Sequence, residues 1–152
     1  MNRRQLIELT EAERRAFLEA SRTITLSTID PRGFPHSIAM WFVMDGDSVL
    51  MTTYGKSQKV RNIERNPKVA LLAETGQTYD TLKGVLIRGY AQILRDDELC
   101  LKTLKRVHAK MMGAFPEGID AALRAQASKR IVMRVTPDRI SSWDHSKLGG
   151  TY

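Results

Sequence analysis

A cluster of hydroxyls and cations stands out in the run Met51-Thr52-Thr53-Tyr54-Gly55-Lys56-Ser57-Gln58-Lys59-Val60-Arg61-Asn62. Thr52, Thr53 and Ser57 supply hydroxyls, and Lys56, Lys59 and Arg61 supply positive charge. The run reads as a strand end, a tight turn at Gly55 and the start of a short helix. The first turn of a helix has unpaired N–H groups and the positive end of the macrodipole, so it suits a phosphate. Three neighbouring cations strengthen that reading. The plainer alternative is a capped, solvated basic turn.

A second chemical feature lies upstream. Ser37-Ile38-Ala39-Met40-Trp41 has apolar residues at both parities of a strand and carries an indole. Such a strand can give a flat wall and backbone donors and acceptors to an aromatic heterocycle. Core packing is the competing use of Trp41. A ring wall and a phosphate site together are what a flavin-type cofactor requires.

Other chemistries find less support. His36, His108 and His145 lack paired-ligand spacing with cysteine or carboxylates, so no metal site is predicted. There is no nucleophile elbow or dinucleotide fingerprint. Asp96-Asp97-Glu98 reads as charge at a helix N-terminus. The single cysteine, Cys100, excludes an internal disulfide and fits a reducing cytoplasm. The net charge of +7 favours anionic partners. The basic residues are scattered, with no recognition helix or aromatic platform, so nucleic acid is not an expected partner. No apolar run approaches the roughly 20 residues of a membrane span, and Met1–Leu6 has no signal-peptide core.

The positioning elements follow from periodicity. The 152 residues are expected to form one domain, 1–152. Thr10–Glu13 is a capping box opening a helix over 10–20. Residues 22–53 alternate with period two, broken by Asp30-Pro31-Arg32-Gly33 and by the hairpin signal Asp45-Gly46. The strand over 37–44 is apolar on both faces and is predicted to be central, buried on both sides. A helix at 57–65 stops at Asn66-Pro67. Strands follow at 69–73 and 84–94, with Gly89 marking a bend or close approach. Helices are expected to about Met112 and near 117–127. A last strand, 131–142, is expected to break at Thr136-Pro137-Asp138, with an irregular tail over 143–152. The class is mainly β with peripheral helices (α+β), a six-stranded antiparallel small barrel, closed or half-closed.

The chain resembles the split β-barrel flavin and deazaflavin oxidoreductases, relatives of pyridoxamine 5′-phosphate oxidase. Four pieces carry the resemblance in order. They are Asp30–His36 with Ala39-Met40-Trp41; Lys56–Lys59 through Asn62 and Asn66-Pro67; Tyr79-Asp80-Thr81-Leu82 with Gly84-Val85; and Ser142–Gly149. The last two look like the branch that binds the deazaflavin coenzyme F420. The resemblance implies an FMN-binding-like split barrel acting as an F420-dependent oxidoreductase on an unidentified unsaturated small molecule, with FMN as the alternative cofactor. A non-enzymatic cofactor carrier is the alternative of another class.

The resemblance further implies a homodimer with cofactor at the interface. Ser37, Ile38, Ala39, Met40 and Trp41 would face the ring. Thr52, Thr53, Lys56, Ser57 and Lys59 would hold the phosphate. Gln77, Tyr79 and Asp80 would come from the partner chain, together with the tail. Arg61 and Lys147 would suit the polyglutamate tail of F420. No catalytic residue is assigned; Tyr79, Tyr54, His36 and water are candidate proton donors. The sequence closes at Thr151-Tyr152 without the arginine- and histidine-bearing segment of the vitamin oxidases, so vitamin B6 oxidation is not expected.

Overall fold

The computed structural model describes residues 2–113 and 117–150. Seven antiparallel strands form one sheet: β1 (Thr23–Ile29), β2 (Pro35–Trp41), β3 (Val43–Asp45), β4 (Ser48–Tyr54), β5 (Lys68–Thr75), β6 (Lys83–Leu94) and β7 (Arg130–Asp144). Their spatial order is β2-β1-β5-β6-β7-β4-β3. The sheet curls until β2 approaches β4, giving the half-closed barrel expected. The seventh strand is the three-residue β3, which Phe42 separates from β2.

Among the described residues five α-helices surround the sheet: α1 (Arg3–Ile7), α2 (Glu11–Ala20), α3 (Gln58–Arg65), α4 (Asp97–Met112) and α5 (Ile119–Ala127). The capping box of α2 is formed. Thr10 Oγ1 accepts from Glu13 N at 3.2 Å, and Glu13 Oε2 accepts from Thr10 N at 2.7 Å. The short helix α1 has no apolar period in the sequence; an Asn2–Gln5 capping box opens it.

Apolar side chains from alternate strand positions fill two cores. Leu26, Phe42, Met51, Leu71, Ile87 and Met133 pack inside the curl. Leu50, Cys100, Leu104, Leu123 and Val132 pack beneath α4 and α5. Strand β4, and β7 over Ile131–Met133, therefore bury both faces, which the unbroken run Val49–Thr53 reflects.

Two expectations are corrected. The strand over 37–41 is not central; β2 is an edge strand, with Ile38 39% and Trp41 43% exposed. An apolar pattern records that a strand avoids water, but not whether its own chain supplies the cover. The predicted break at 136–138 is also corrected. β7 runs through it, with a register shift that pairs Gly89 with Pro137 and Arg88 with Arg139. A Cβ on Gly89 would stand 2.3 Å from the Thr136 carbonyl oxygen, so the bend and close approach expected there are both present. The expected irregular tail is partly ordered: Trp143-Asp144 finish β7 and His145–Leu148 form a 3-10 turn, while 151–152 lie outside the described residues.

Candidate functional site

The phosphate-type cluster assembles where β4 ends and α3 begins. Thr52 and Thr53 are buried at the strand end. The chain turns at Gly55, where Ser57 N donates to Tyr54 O at 3.1 Å. Asn66-Pro67 ends α3 as predicted, and Val60 and Ile63 anchor it in the core. Its register is pinned by fully buried Asn62, whose Nδ2 donates to Thr28 Oγ1 at 3.0 Å. Asn62 Oδ1 accepts from Gln58 Nε2 at 2.8 Å.

Among the described residues, three groups in this cradle lack the partner their chemistry calls for. Ser57 has N-cap backbone angles, yet its hydroxyl caps nothing and is buried with no hydrogen-bond partner among the described residues. Arg130 lies opposite Tyr54 across β4 and β7, with its guanidinium 4.5 Å from the Tyr54 ring centre. Its Nε is likewise buried and unpartnered, and its Nη1 reaches Thr52 only at 3.5 Å. Burial, and then the charge of Arg130, push the Lys59 ammonium below its usual range. A phosphate would accept from Ser57 and neutralise both cations, so the residues present fit one. The adjoining cleft, about 670 Å³, is lined by Tyr54, Lys56, Arg95, Lys129 and Arg130 among others.

Sequence reading missed Arg130. Nothing in Ser128-Lys129-Arg130 marks it, because only the pairing of β4 with β7 puts it opposite Tyr54.

The strand proposed for the ring, Ser37–Trp41, is joined to this cradle within one chain. His36 pairs with Thr28, the residue whose hydroxyl holds Asn62 of α3. Ser37 Oγ lies 2.8 Å from Ser27 Oγ. Trp41 meets His108 edge-to-face at 6.3 Å and leaves much of its indole open.

The remaining predicted residues lie elsewhere. Gln77, Tyr79 and Asp80 occupy the β5–β6 loop, which Thr81 organises by accepting from Gln77 N and Thr78 N. The Tyr79 ring stacks edge-on to His145 at 4.5 Å, and His145 Nδ1 lies 2.8 Å from Tyr79 O. Burial raises the Asp144 pKa, but two bonds from Ser146 and the nearby Lys83 outweigh it and hold the carboxyl below its usual range. Lys147 donates to Glu8 O at 3.0 Å and to Glu13 Oε2 at 2.7 Å. That contact, ahead of the other hydrogen bonds, holds the Glu13 carboxyl low. This group sits at the Asp144 end of β7 and the cradle at the Arg130 end. At about 3.3 Å per residue the two ends are separated by roughly 46 Å of strand. One chain therefore does not bring Gln77, Tyr79, Asp80 and Lys147 to its own cradle. Arg61 is exposed on α3, beyond the buried cluster.

Among the described residues no group of His, Cys, Asp and Glu could hold a metal ion, and no helix is long and apolar enough to cross a membrane.

Comparison with known proteins agrees with this architecture. A conserved hypothetical protein from Mycobacterium tuberculosis is 37% identical, with a TM-score of 0.92 over 100% of this chain and 95% of that one. An F420 reductase is 27% identical, with a TM-score of 0.70 over 88% of this chain and 98% of that one. The heme storage protein HutZ of Vibrio cholerae, at 20% identity and a TM-score of 0.68 over 90% and 97% of the two chains, shares the fold. No curated protein matches the sequence. The family model described as pyridoxamine 5′-phosphate oxidase matches residues 10–144. With a match of that extent, and every element of the curled antiparallel sheet in place, the chain belongs to the pyridoxamine 5′-phosphate oxidase family.

Proposed function

We propose that the protein is an oxidoreductase that binds coenzyme F420 and moves a hydride between it and a small unsaturated molecule. The observation that carries this reading is the cradle of Ser57, Lys59 and Arg130, three groups each short of an anionic partner beside the first turn of α3. The likeness to an F420 reductase supports the choice of cofactor. When bound, the cofactor supplies the hydride chemistry.

The chain's own residues bind and orient. Ser57 donates to the phosphate, and Lys59 and Arg130 balance its charge. Thr52 and Thr53 bring further hydroxyls to the strand end. Met40 and Trp41 give the ring an apolar wall that excludes water. The open apolar face of β2 needs cover, and a second copy of the chain provides it in this reading. The partner's β5–β6 loop and tail would then complete each site.

FMN is the rival cofactor, and one observation favours it: Lys147, counted on for the polyglutamate tail, is already engaged by Glu13. Titrating the purified protein with each cofactor separates the two. Tighter binding of F420 than of FMN at low ionic strength, with the margin narrowing as salt rises, is expected. Equal affinities, or a preference for FMN, overturn the deazaflavin assignment and leave the phosphate cradle standing.

A further inference from the structure

Tyr54 leaves an aromatic ring 57% exposed at the last rung of the β4–β7 ladder. A ring that open gains the fold little by burial. It faces the Arg130 guanidinium at 4.5 Å, and both residues line the cleft beside the cradle.

Arg130 needs such a neighbour. Among the described residues it has no carboxylate within ion-pair distance, although Asp97 lines the same cleft. Lys59, a second cation, is near enough to feel its charge. The contacts of its Nη1 with Thr52 O and Thr52 Oγ1, both at 3.5 Å, are too long for strong hydrogen bonds. Repulsion and weak bonds leave the aromatic stack as the principal restraint on the guanidinium. A carboxylate in that position would fix the arginine by neutralising it. A ring fixes it and leaves its charge and its fork of N–H donors free for an anion.

We infer, on the reading of the cradle as a phosphate site, that Tyr54 is a positioning residue that acts through Arg130 and makes the site select phosphate-bearing cofactors over their phosphate-free cores. The ring orders the guanidinium before the phosphate arrives, so that cost does not fall on binding. The work belongs to the ring face, and the Tyr54 hydroxyl has no part in it.

The measurement is a ratio of affinities on the intact protein: FMN against riboflavin, and F420 against its phosphate-free deazaflavin core. Each pair shares a ring system and differs at the phosphate end. Tyr54→Ala should lower the ratio about three- to tenfold, the cost of ordering one freed arginine on binding. Tyr54→Phe, which keeps the ring, should hold it within about twofold of wild type. In an Arg130→Gln background, Tyr54→Ala should cost nothing further, because the two act as one unit. A Tyr54→Ala variant that melts lower and weakens both members of each pair alike overturns the role. So does a loss in Tyr54→Phe as large as that in Tyr54→Ala. Lys59→Ala tests the underlying cradle separately. If it lowers the ratio and Tyr54→Ala does not, the cradle stands and Tyr54 has no place in it. If neither variant changes the ratio, or neither phosphate-bearing cofactor binds, the cradle falls and the role of Tyr54 falls with it.

Discussion

Lys59 is the residue at which the cradle is most directly tested. Removing a cation that contacts a phosphate costs about 1.5–3 kcal/mol, or roughly tenfold to over a hundredfold in affinity. Lys59→Ala should lose that much cofactor affinity. The apo protein should melt no lower, because burial and Arg130 already disfavour the ammonium there. The same depression sets a pH dependence. The folded pKa lies below the ordinary lysine value, so the free site loses its proton as pH rises through that lowered value. Phosphate binding restores the charge and takes up a proton. Cofactor affinity should fall across that window in the wild type, with a flatter profile in Lys59→Ala. Calorimetry in buffers of different ionisation heat measures the uptake.

Lys110 gives a second test at this scale, away from the cradle. Its Nζ lies 3.3 Å from both Leu18 O and Phe42 O and 3.7 Å from the Phe42 ring centre. Burial pushes it down to about 8 from its ordinary value of 10.5, with Glu19 pulling the other way. Between those two values the unfolded chain binds the proton and the native state does not. This residue's contribution to stability therefore rises with pH there. Urea midpoints for wild type and Lys110→Met should show that rise in the wild type and lose it in the variant.

Among the elements, the bulged β6–β7 pair is the least tolerant of change. Gly89→Ala would place a methyl against the Thr136 carbonyl, and the bulge must shift to admit it. A loss of about 1–3 kcal/mol in chemical unfolding is expected. Gly33, where a Cβ meets nothing but φ is +86°, should cost less. Local grammar made most elements readable. The capping box at Thr10, the Asp45-Gly46 hairpin, the Asn66-Pro67 stop and the warning at Gly89 are all short-range signals with local causes. What could not be read depends on pairing. Arg130 belongs to the cradle only because β7 lies beside β4. The apolar pattern of β2 looked like burial because no local signal says which strand lies at a sheet's edge.

The whole molecule leaves its proposed site in two halves. The cradle and β2 lie together, while Gln77, Tyr79, Asp80 and Lys147 stand at the far end of β7. The resemblance in the sequence already implied that these halves meet between chains, and the geometry within one chain is consistent with it. Sedimentation should give roughly twice the 17.2 kDa chain mass. Trp41→Glu, which charges the exposed face of β2, should shift the protein toward monomer and weaken cofactor binding together. A monomer that binds cofactor with undiminished affinity would sink the shared-site reading.

The tie between Asn62 and Thr28 has a calorimetric consequence. Because both ends of the Asn62 amide are engaged before any ligand arrives, α3 has no folding left to do when its first turn meets a phosphate. Coupled ordering would add the heat-capacity signature of a segment burying new surface. A preset helix adds none. The heat-capacity change of cofactor binding should therefore be no larger than the apolar area of the cofactor itself accounts for, and association should be fast and single-phased. Asn62→Leu strands the Thr28 hydroxyl and frees the helix to rock. In that variant the binding heat should become more strongly temperature-dependent, and a slow second kinetic phase should appear.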